Sequence, residues 1–238
     1  MRSVFTSDLH LKISPSPEQI RNFYRFVKET EKKYDRLYIL GDLFTYWYEH
    51  PRVDFYSKNP VLKIIKESSL KIYFIYGNRD FMAGIYFRKF SGVEFIGSDL
   101  KLNIGPINIF LTHGDKMAKK DIRYQIWRKF VQSPVSSFIF KRLPVGYAIS
   151  VVDNFKKVGK SNPRKEKIIA RMITAGARNK LKKDKDIDII VSGHAHYKET
   201  EEFKMDGKYK KLIILPEFKF PGEFLTLKSG DLSFKQIG

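Results

Sequence analysis

Short apolar runs rich in β-branched and aromatic residues recur along the chain, and five of them end in a polar cluster. The runs at 4–6, 37–40 and 72–76 lead into Ser7-Asp8, Gly41-Asp42 and Gly77-Asn78. The runs at 107–111 and 187–191 lead into Thr112-His113 and Ser192-Gly193-His194. Continuous apolar runs of this length suit strands buried on both faces. Open α/β sheets place ligands just beyond strand C-termini, so five such ends in series predict one site along one edge of a sheet. Between the first two strands, Ser16-Pro17-Glu18-Gln19 predicts a helix start. Ser16 can cap, Pro17 fits the first turn, and Gln19 completes a capping box. Ile20, Phe23 and Val27 follow at helical spacing as the buried stripe. Residues 60–69 predict a second, shorter helix. From Leu212 to Ile237, with Gly222 and Ser229-Gly230 as turn signals, the pattern predicts closing antiparallel strands.

Residues 116–180 break this rhythm. They read as helical pieces interrupted at Pro134, Pro144 and Pro163, with apolar side chains such as Phe138, Ile139 and Leu143 set among basic ones. The expectation is a single α/β domain over 1–238 with a helical insertion, or cap, at 116–180. Charge changes the picture of this segment. The formal net charge is +19, and residues 116–185 hold 20 of the 45 Lys and Arg but only Asp121, Asp153, Glu166 and Asp184 as acids. Such a surface is either a solvated lysine-rich face or a docking site for an anion: nucleic acid, anionic lipid or a phosphorylated substrate.

The chain has no cysteine, which excludes disulfides, thiolate zinc sites and cysteine nucleophiles; any metal is bound through nitrogen and oxygen. The opening residues read as the start of a strand rather than the apolar core of a signal peptide. No apolar run reaches the roughly 18 to 20 residues of a membrane span, so a soluble or peripheral protein is expected.

The five strand ends offer Asp8 and His10, Asp42, Asn78, His113, and His194 with His196. Residues two apart in extended chain share a face, so Asp8/His10 and His194/His196 can each aim two groups at one point. Seven nitrogen and oxygen ligands suit two ions with one carboxylate shared, and Asp42, at the turn after its strand, is the natural bridge. Prominent imidazole favours manganese, iron or zinc over calcium. Singly, each residue has a plain reading as a turn, a core histidine or a polar loop. Jointly those readings require five coincidences at strand ends.

Asp-x-His, Gly-Asp, Gly-Asn-x-Asp, a His and Gly-His-x-His, in this order, resemble the calcineurin-like metallophosphoesterase superfamily. The resemblance implies a four-layer αββα sandwich with a dinuclear centre. One ion would take Asp8, His10, Asp42 and His196, and the other Asp42, Asn78, His113 and His194. A narrower resemblance, to the UDP-2,3-diacylglucosamine pyrophosphatase family of lipid A synthesis, rests on several short stretches. These are Ser7-Asp8-Leu9-His10-Leu11, Gly41-Asp42-Leu43-Phe44, Gly77-Asn78-Arg79-Asp80-Phe81, His113-Gly114-Asp115 and Asp121-x-x-Tyr124. Most relatives in the superfamily carry His after the Asn; Arg79 stands there in this chain. This likeness implies substrate contacts from Asn78, Arg79, Asp121, Tyr124, Ser161, Asn162, Lys165, Lys167 and His194. It also implies attack at the α-phosphorus, giving UMP and 2,3-diacylglucosamine 1-phosphate, with two divalent ions, most simply Mn2+. The setting it implies is the cytoplasmic face of an anionic inner membrane. Two departures stand out: Trp47-Tyr48-Glu49-His50 replaces a more acidic segment, and Gly-His-Ala-His replaces Gly-His-Thr-His. The rival readings are a metallophosphodiesterase acting on another nucleotide or on nucleic acid, and a binding scaffold of the same fold without catalysis.

Overall fold

The structure, a computed structural model, describes residues 2–47, 59–81, 83, 87, 92–119, 122, 125–126, 129, 133–144, 147 and 162–237. Its elements build two sheets. The first has the strand order β11-β10-β1-β2-β3-β4, from β1 (Arg2–Thr6), β2 (Arg36–Leu40), β3 (Lys71–Ile75), β4 (Val93–Gly97), β10 (Gly222–Lys228) and β11 (Asp231–Ile237). The second runs β5-β6-β7-β9-β8, from β5 (Asp99–Ile104), β6 (Ile107–Thr112), β7 (Ile189–Ser192), β8 (Glu199–Met205) and β9 (Lys208–Ile214). Strands β1 to β4 pair in parallel, as do β6, β7 and β9. The five strand ends foreseen in the sequence therefore point the same way within each sheet.

Three separate hydrophobic clusters mark three interfaces, and so four layers. Phe5, Tyr38, Leu40, Ile75, Leu111 and Val191 fill the space between the sheets. On the outer face of the first sheet lie α1 (Pro17–Glu31) and α2 (Pro60–Lys66), packed through Phe23, Phe26, Val27, Leu62 and Ile65. On the outer face of the second lies the basic helix α4 (Pro163–Lys183), whose Ala170, Ile173, Ala177 and Leu181 are fully buried. Alternate strand residues serve different layers, because successive side chains face opposite ways: Val4 belongs to the outer cluster and Phe5 to the inner one.

Local chemistry explains the starts of the helices. Gln19 N–H donates to Ser16 Oγ at 3.2 Å and Ser16 N–H donates back to Gln19 Oε1 at 3.3 Å, the expected capping box. Asn59 caps α2 through Val61 N–H and Leu62 N–H, and α2 is shorter than the 60–69 stretch expected. Asn162 Oδ1 accepts from Lys165 N–H at 2.9 Å and starts α4.

Two expectations change. Residues 163–180 were expected in a cap, but they form one continuous helix seated on the second sheet, because small residues at helical spacing let it approach closely. A shorter helix, α3 (Pro134–Arg142), lies in the remaining part of the insertion. Leu212 to Ile214 does not join the closing hairpin; it is the end of β9, parallel to β7. Only β10 and β11 close the first sheet as an antiparallel pair, turning at Ser229 and Gly230, both with positive φ. Among the described residues no helix is long and apolar enough to cross a membrane.

Candidate metal centre

The loops beyond β1 and β2 continue side by side after the strands end. Asp8 N–H donates to Gly41 O, His10 N–H to Asp42 O and Leu11 N–H to Leu43 O, all within 3.0 Å. This ladder holds Asp8, His10 and Asp42 at one place. Asp8, His10, Asp42, His194 and His196 all have φ between 48° and 71°, the left-handed region that side chains normally avoid. The paired ligands thus converge through kinked loops, not through the extended chain that sequence reasoning assumed. Gly41, at φ +87°, lies against the His113 ring and the Gly77 backbone, where a Cβ would collide. Gly193 is equally confined by the side chains of Ser7 and Asp8.

The seven expected ligands come together, buried or half-buried, where the two sheets meet. Asp8 is fully buried. Its Oδ2 accepts from Ser7 Oγ at 2.6 Å and from His194 N–H at 2.9 Å. Its Oδ1 accepts no hydrogen bond although His196 Nε2 lies 3.2 Å away and His10 Nε2 3.9 Å away. The two imidazole Nε2 atoms are themselves 3.1 Å apart. An orphaned buried carboxylate oxygen facing two ring nitrogens is an arrangement that a cation completes.

A second group forms beside the first. His113 Nδ1 donates to Leu40 O at 2.8 Å, which directs Nε2 toward Asn78 Oδ1 at 3.1 Å and Asp42 Oδ1 at 3.7 Å. Hydrogen bonding at one ring nitrogen fixes the other as the ligand atom. Ligand atoms of Asp8, His10 and His196 lie within 4.8 Å of one another, and so do those of Asp8, Asp42 and His113. Asp8 falls in both groups, and Asp42 stands beside it in the second. His194 belongs to neither, but its ring stands 5.0 Å from that of His113. This donor set, carboxylate, imidazole and amide oxygen in two adjoining clusters, fits two divalent ions.

The charges agree with such a role. Burial pulls His10 down to about 3 and His194 well below the usual histidine range, so both are neutral donors. Burial also pulls on His113, but the carboxylates of Asp42, Asp8 and Asp115 outweigh it and hold the group at about 9. Burial opposes ionisation of Asp8, yet His196 and its neighbours hold the carboxyl well below its ordinary value. Burial pushes Asp42 up, against the pull of His113 and of Arg79.

Arg79 sits on the centre without adding a ligand. Its backbone N–H donates to Asp42 Oδ1 at 3.0 Å and its Nε lies 3.3 Å from Asp42 Oδ2. The plain alternative for Arg79, an ion pair with Asp80, is not what forms. Asp80 is fully buried and receives Gly77 N–H at 2.7 Å, with Asp42 N–H at 3.3 Å and Phe44 N–H at 3.4 Å. It pins the two strand-end loops together, a role its place in Gly77-Asn78-Arg79-Asp80 did not reveal. Glu217 was also missed. It follows β9 and its Oε2 lies 3.7 Å from His196 Nδ1. The signal was present, since residues 212–215 form another apolar run, followed by Pro216-Glu217.

Among the expected substrate residues, Asn162, Lys165 and Lys167 lie exposed on the first turns of α4, with the Asn162 carbonyl engaged in capping. Asp121, Tyr124 and Ser161 lie outside the described residues, as do Tyr48, Glu49 and His50.

Residues 1–198 match the model of the calcineurin-like phosphoesterases. The chain is 27% identical over 239 residues to a UDP-2,3-diacylglucosamine hydrolase of Aeromonas salmonicida, covering 99% of this chain and 93% of the relative. It is 31% identical over 199 residues to a UDP-2,3-diacylglucosamine hydrolase of Hamiltonella defensa, covering 82% and 77%. A dimetal phosphatase from Danio rerio shares the fold at a TM-score of 0.51 and 10% identity, over 99% of this chain and 95% of that one. With a matched model reaching from β1 past His196, the chain belongs to the calcineurin-like phosphoesterase family of metal-dependent hydrolases.

Proposed function

We propose that the protein hydrolyses the diphosphate of UDP-2,3-diacylglucosamine, releasing UMP and 2,3-diacylglucosamine 1-phosphate. The observation that carries this reading is the end-to-end match to hydrolases of that substrate. The position of Arg79 on the centre supports it. Asp8, His10, Asp42 and His196 would hold one divalent ion and Asp42, Asn78, His113 and His194 the other, with manganese the proposed metal. Ions bound there would supply Lewis-acid stabilisation of phosphoryl oxygens.

The protein's own residues account for the rest. Water attacks the α-phosphorus, the bond from that phosphorus to the bridging oxygen breaks, and the sugar 1-phosphate leaves as a stable anion. Such a leaving group needs no proton donor. It needs charge stabilisation across the diphosphate, and the Arg79 guanidinium gives that through its planar fork of donors. Asp80 keeps the loops bearing Asp42 and Arg79 in register through its three backbone hydrogen bonds.

The substrate's acyl chains suit a membrane surface. Ile122, Ile126, Val135, Phe138, Ile139 and Tyr147 are all more than half exposed, within a segment dense in Lys and Arg. Apolar anchors amid basic charge support peripheral docking on the anionic cytoplasmic face of the inner membrane. Turnover of UDP-2,3-diacylglucosamine, beside single-stranded nucleic acid and with or without manganese, tests the reading. Manganese-dependent cleavage of the lipid substrate alone is expected. Cleavage of the nucleic acid alone, or of neither, overturns it.

A further inference from the structure

A cavity of about 270 Å³ opens beside His10, between α1 and the loop that follows β9. It is lined by His10, Gln19, Asn22, Phe23, Glu217 and Phe220, among others. It adjoins the Asp8/His10/His196 group, whereas Arg79 is paired with Asp42 in the other group. A diphosphate with its α-phosphorus between the groups therefore has two exits. With the β-phosphate and sugar on the Arg79 side, the nucleoside would lie on the His10 side.

We propose, resting on the substrate reading above, that this cavity is the subsite for the uridine half of the substrate. Its size is just below the roughly 300–1,000 Å³ of drug-sized pockets, which suits one ring with its ribose and is too small for two acyl chains. Its lining is mixed, with Gln19, Asn22, Glu217 and Lys219 set among apolar residues, which suits the part-polar surface of a nucleoside better than acyl chains alone. The Asn22 carboxamide makes no hydrogen bond among the described residues, and it is only half-buried. An unspent amide presents a donor and an acceptor side by side, the complement of the N3–H and O4 edge of uracil. Gln19 cannot serve equally, since its Oε1 is committed to Ser16 N–H. Phe220, partly buried against the core cluster that holds Phe23, supplies aromatic surface for the pyrimidine, as bases stack on aromatic side chains. Phe220 is steadied by the Arg25 guanidinium, 5.3 Å above its ring. Lys219, 2.8 Å from Glu217, brings a cation to the rim.

Calorimetry on the manganese-loaded protein tests the subsite without turnover. UMP and ribose 5-phosphate carry the same sugar and phosphate and differ only in the base. The expected result is that UMP binds at least 10-fold more tightly than ribose 5-phosphate. Asn22→Leu and Asn22→Ala, both at a helix position that tolerates these residues, should each remove most of that advantage. Both should leave the affinity for ribose 5-phosphate within about twofold. Equal binding of the two ligands by the unmodified protein overturns the subsite, as does an undiminished UMP advantage in both variants. If lipid substrate is turned over while UMP has no advantage, the subsite alone fails. If neither is seen, the substrate reading fails with it.

Discussion

Five of the side chains that form the centre start from left-handed backbone, and such conformations cost on the order of 1 kcal/mol or more each. The surrounding ladder of Asp8, His10 and Leu11 on Gly41, Asp42 and Leu43 holds them there. The candidate ligands stood out in the sequence because each follows an apolar run. Their convergence did not, since the kinks depend on hydrogen bonds between loops distant in sequence. Asp80 was hidden for the same reason, its three partners lying on two different loops. Arg79 contributes no ligand, so Arg79→His should retain both metals. It should lose at least 10-fold in kcat/KM on the diphosphate, because imidazole lacks a permanently charged fork of donors. Metal analysis together with kinetics on a diphosphate and a nitrophenyl phosphodiester checks this; unchanged diphosphate kinetics would remove Arg79 from the account. The protons give a second expectation. With His113 held at about 9, its Nε2 carries a proton at neutral pH that a metal must displace. Metal affinity should therefore climb as pH rises toward about 9 and level off above. Metal binding at pH 7 should release protons, as read by calorimetry in buffers of differing ionisation enthalpy. In the metal-free protein the same shift stabilises the fold below the ordinary histidine value of 6.5. That contribution is lost as pH rises through about 9.

Among the elements, the start of α1 and much of its apolar face were legible as local signals, but Ile20 is only partly buried and Phe26, outside the expected stripe, is fully buried. The strand-end runs of β1, β2, β3, β6 and β7 were legible for a similar reason: both faces are buried, so the apolar run is unbroken. β5 and β8 were not, because edge strands alternate. The burial of β8 switches between half-buried and exposed until Phe203. The hairpin joining β8 to β9 turns at Asp206-Gly207, both with positive φ, a signal that sequence reasoning passed over. The basic helix α4 was misplaced because its charge conceals its apolar stripe. Eight of its residues are Lys or Arg, yet Ala170, Ile173, Ala177 and Leu181 have no more than 1% exposure. Leu181→Ala should therefore cost about 2–5 kcal/mol of stability, measured by denaturant unfolding of the metal-loaded protein. A cost below about 1 kcal/mol would show that α4 is not a packed layer of the sandwich.

For the molecule as a whole, the sandwich brings strand ends from both sheets to one edge, so that no single segment holds the centre. The surplus charge acts at the same scale. Exposed Lys and Arg are screened over about 10 Å at 0.1 M salt, so binding to vesicles should rise with anionic lipid content and fall as salt is added. A sedimentation assay reads this directly, and equal binding to neutral and anionic vesicles would reduce the basic surface to a solvated face. At this scale the proposed chemistry is metal-dependent attack at the α-phosphorus of an acylated UDP-sugar. Hydrolysis of UDP-2,3-diacylglucosamine by the manganese-loaded protein in oxygen-18 water, followed by mass spectrometry of both products, decides it. Attack at the α-phosphorus puts the label in UMP and not in the sugar phosphate. Label in the sugar 1-phosphate, or no hydrolysis, would contradict it.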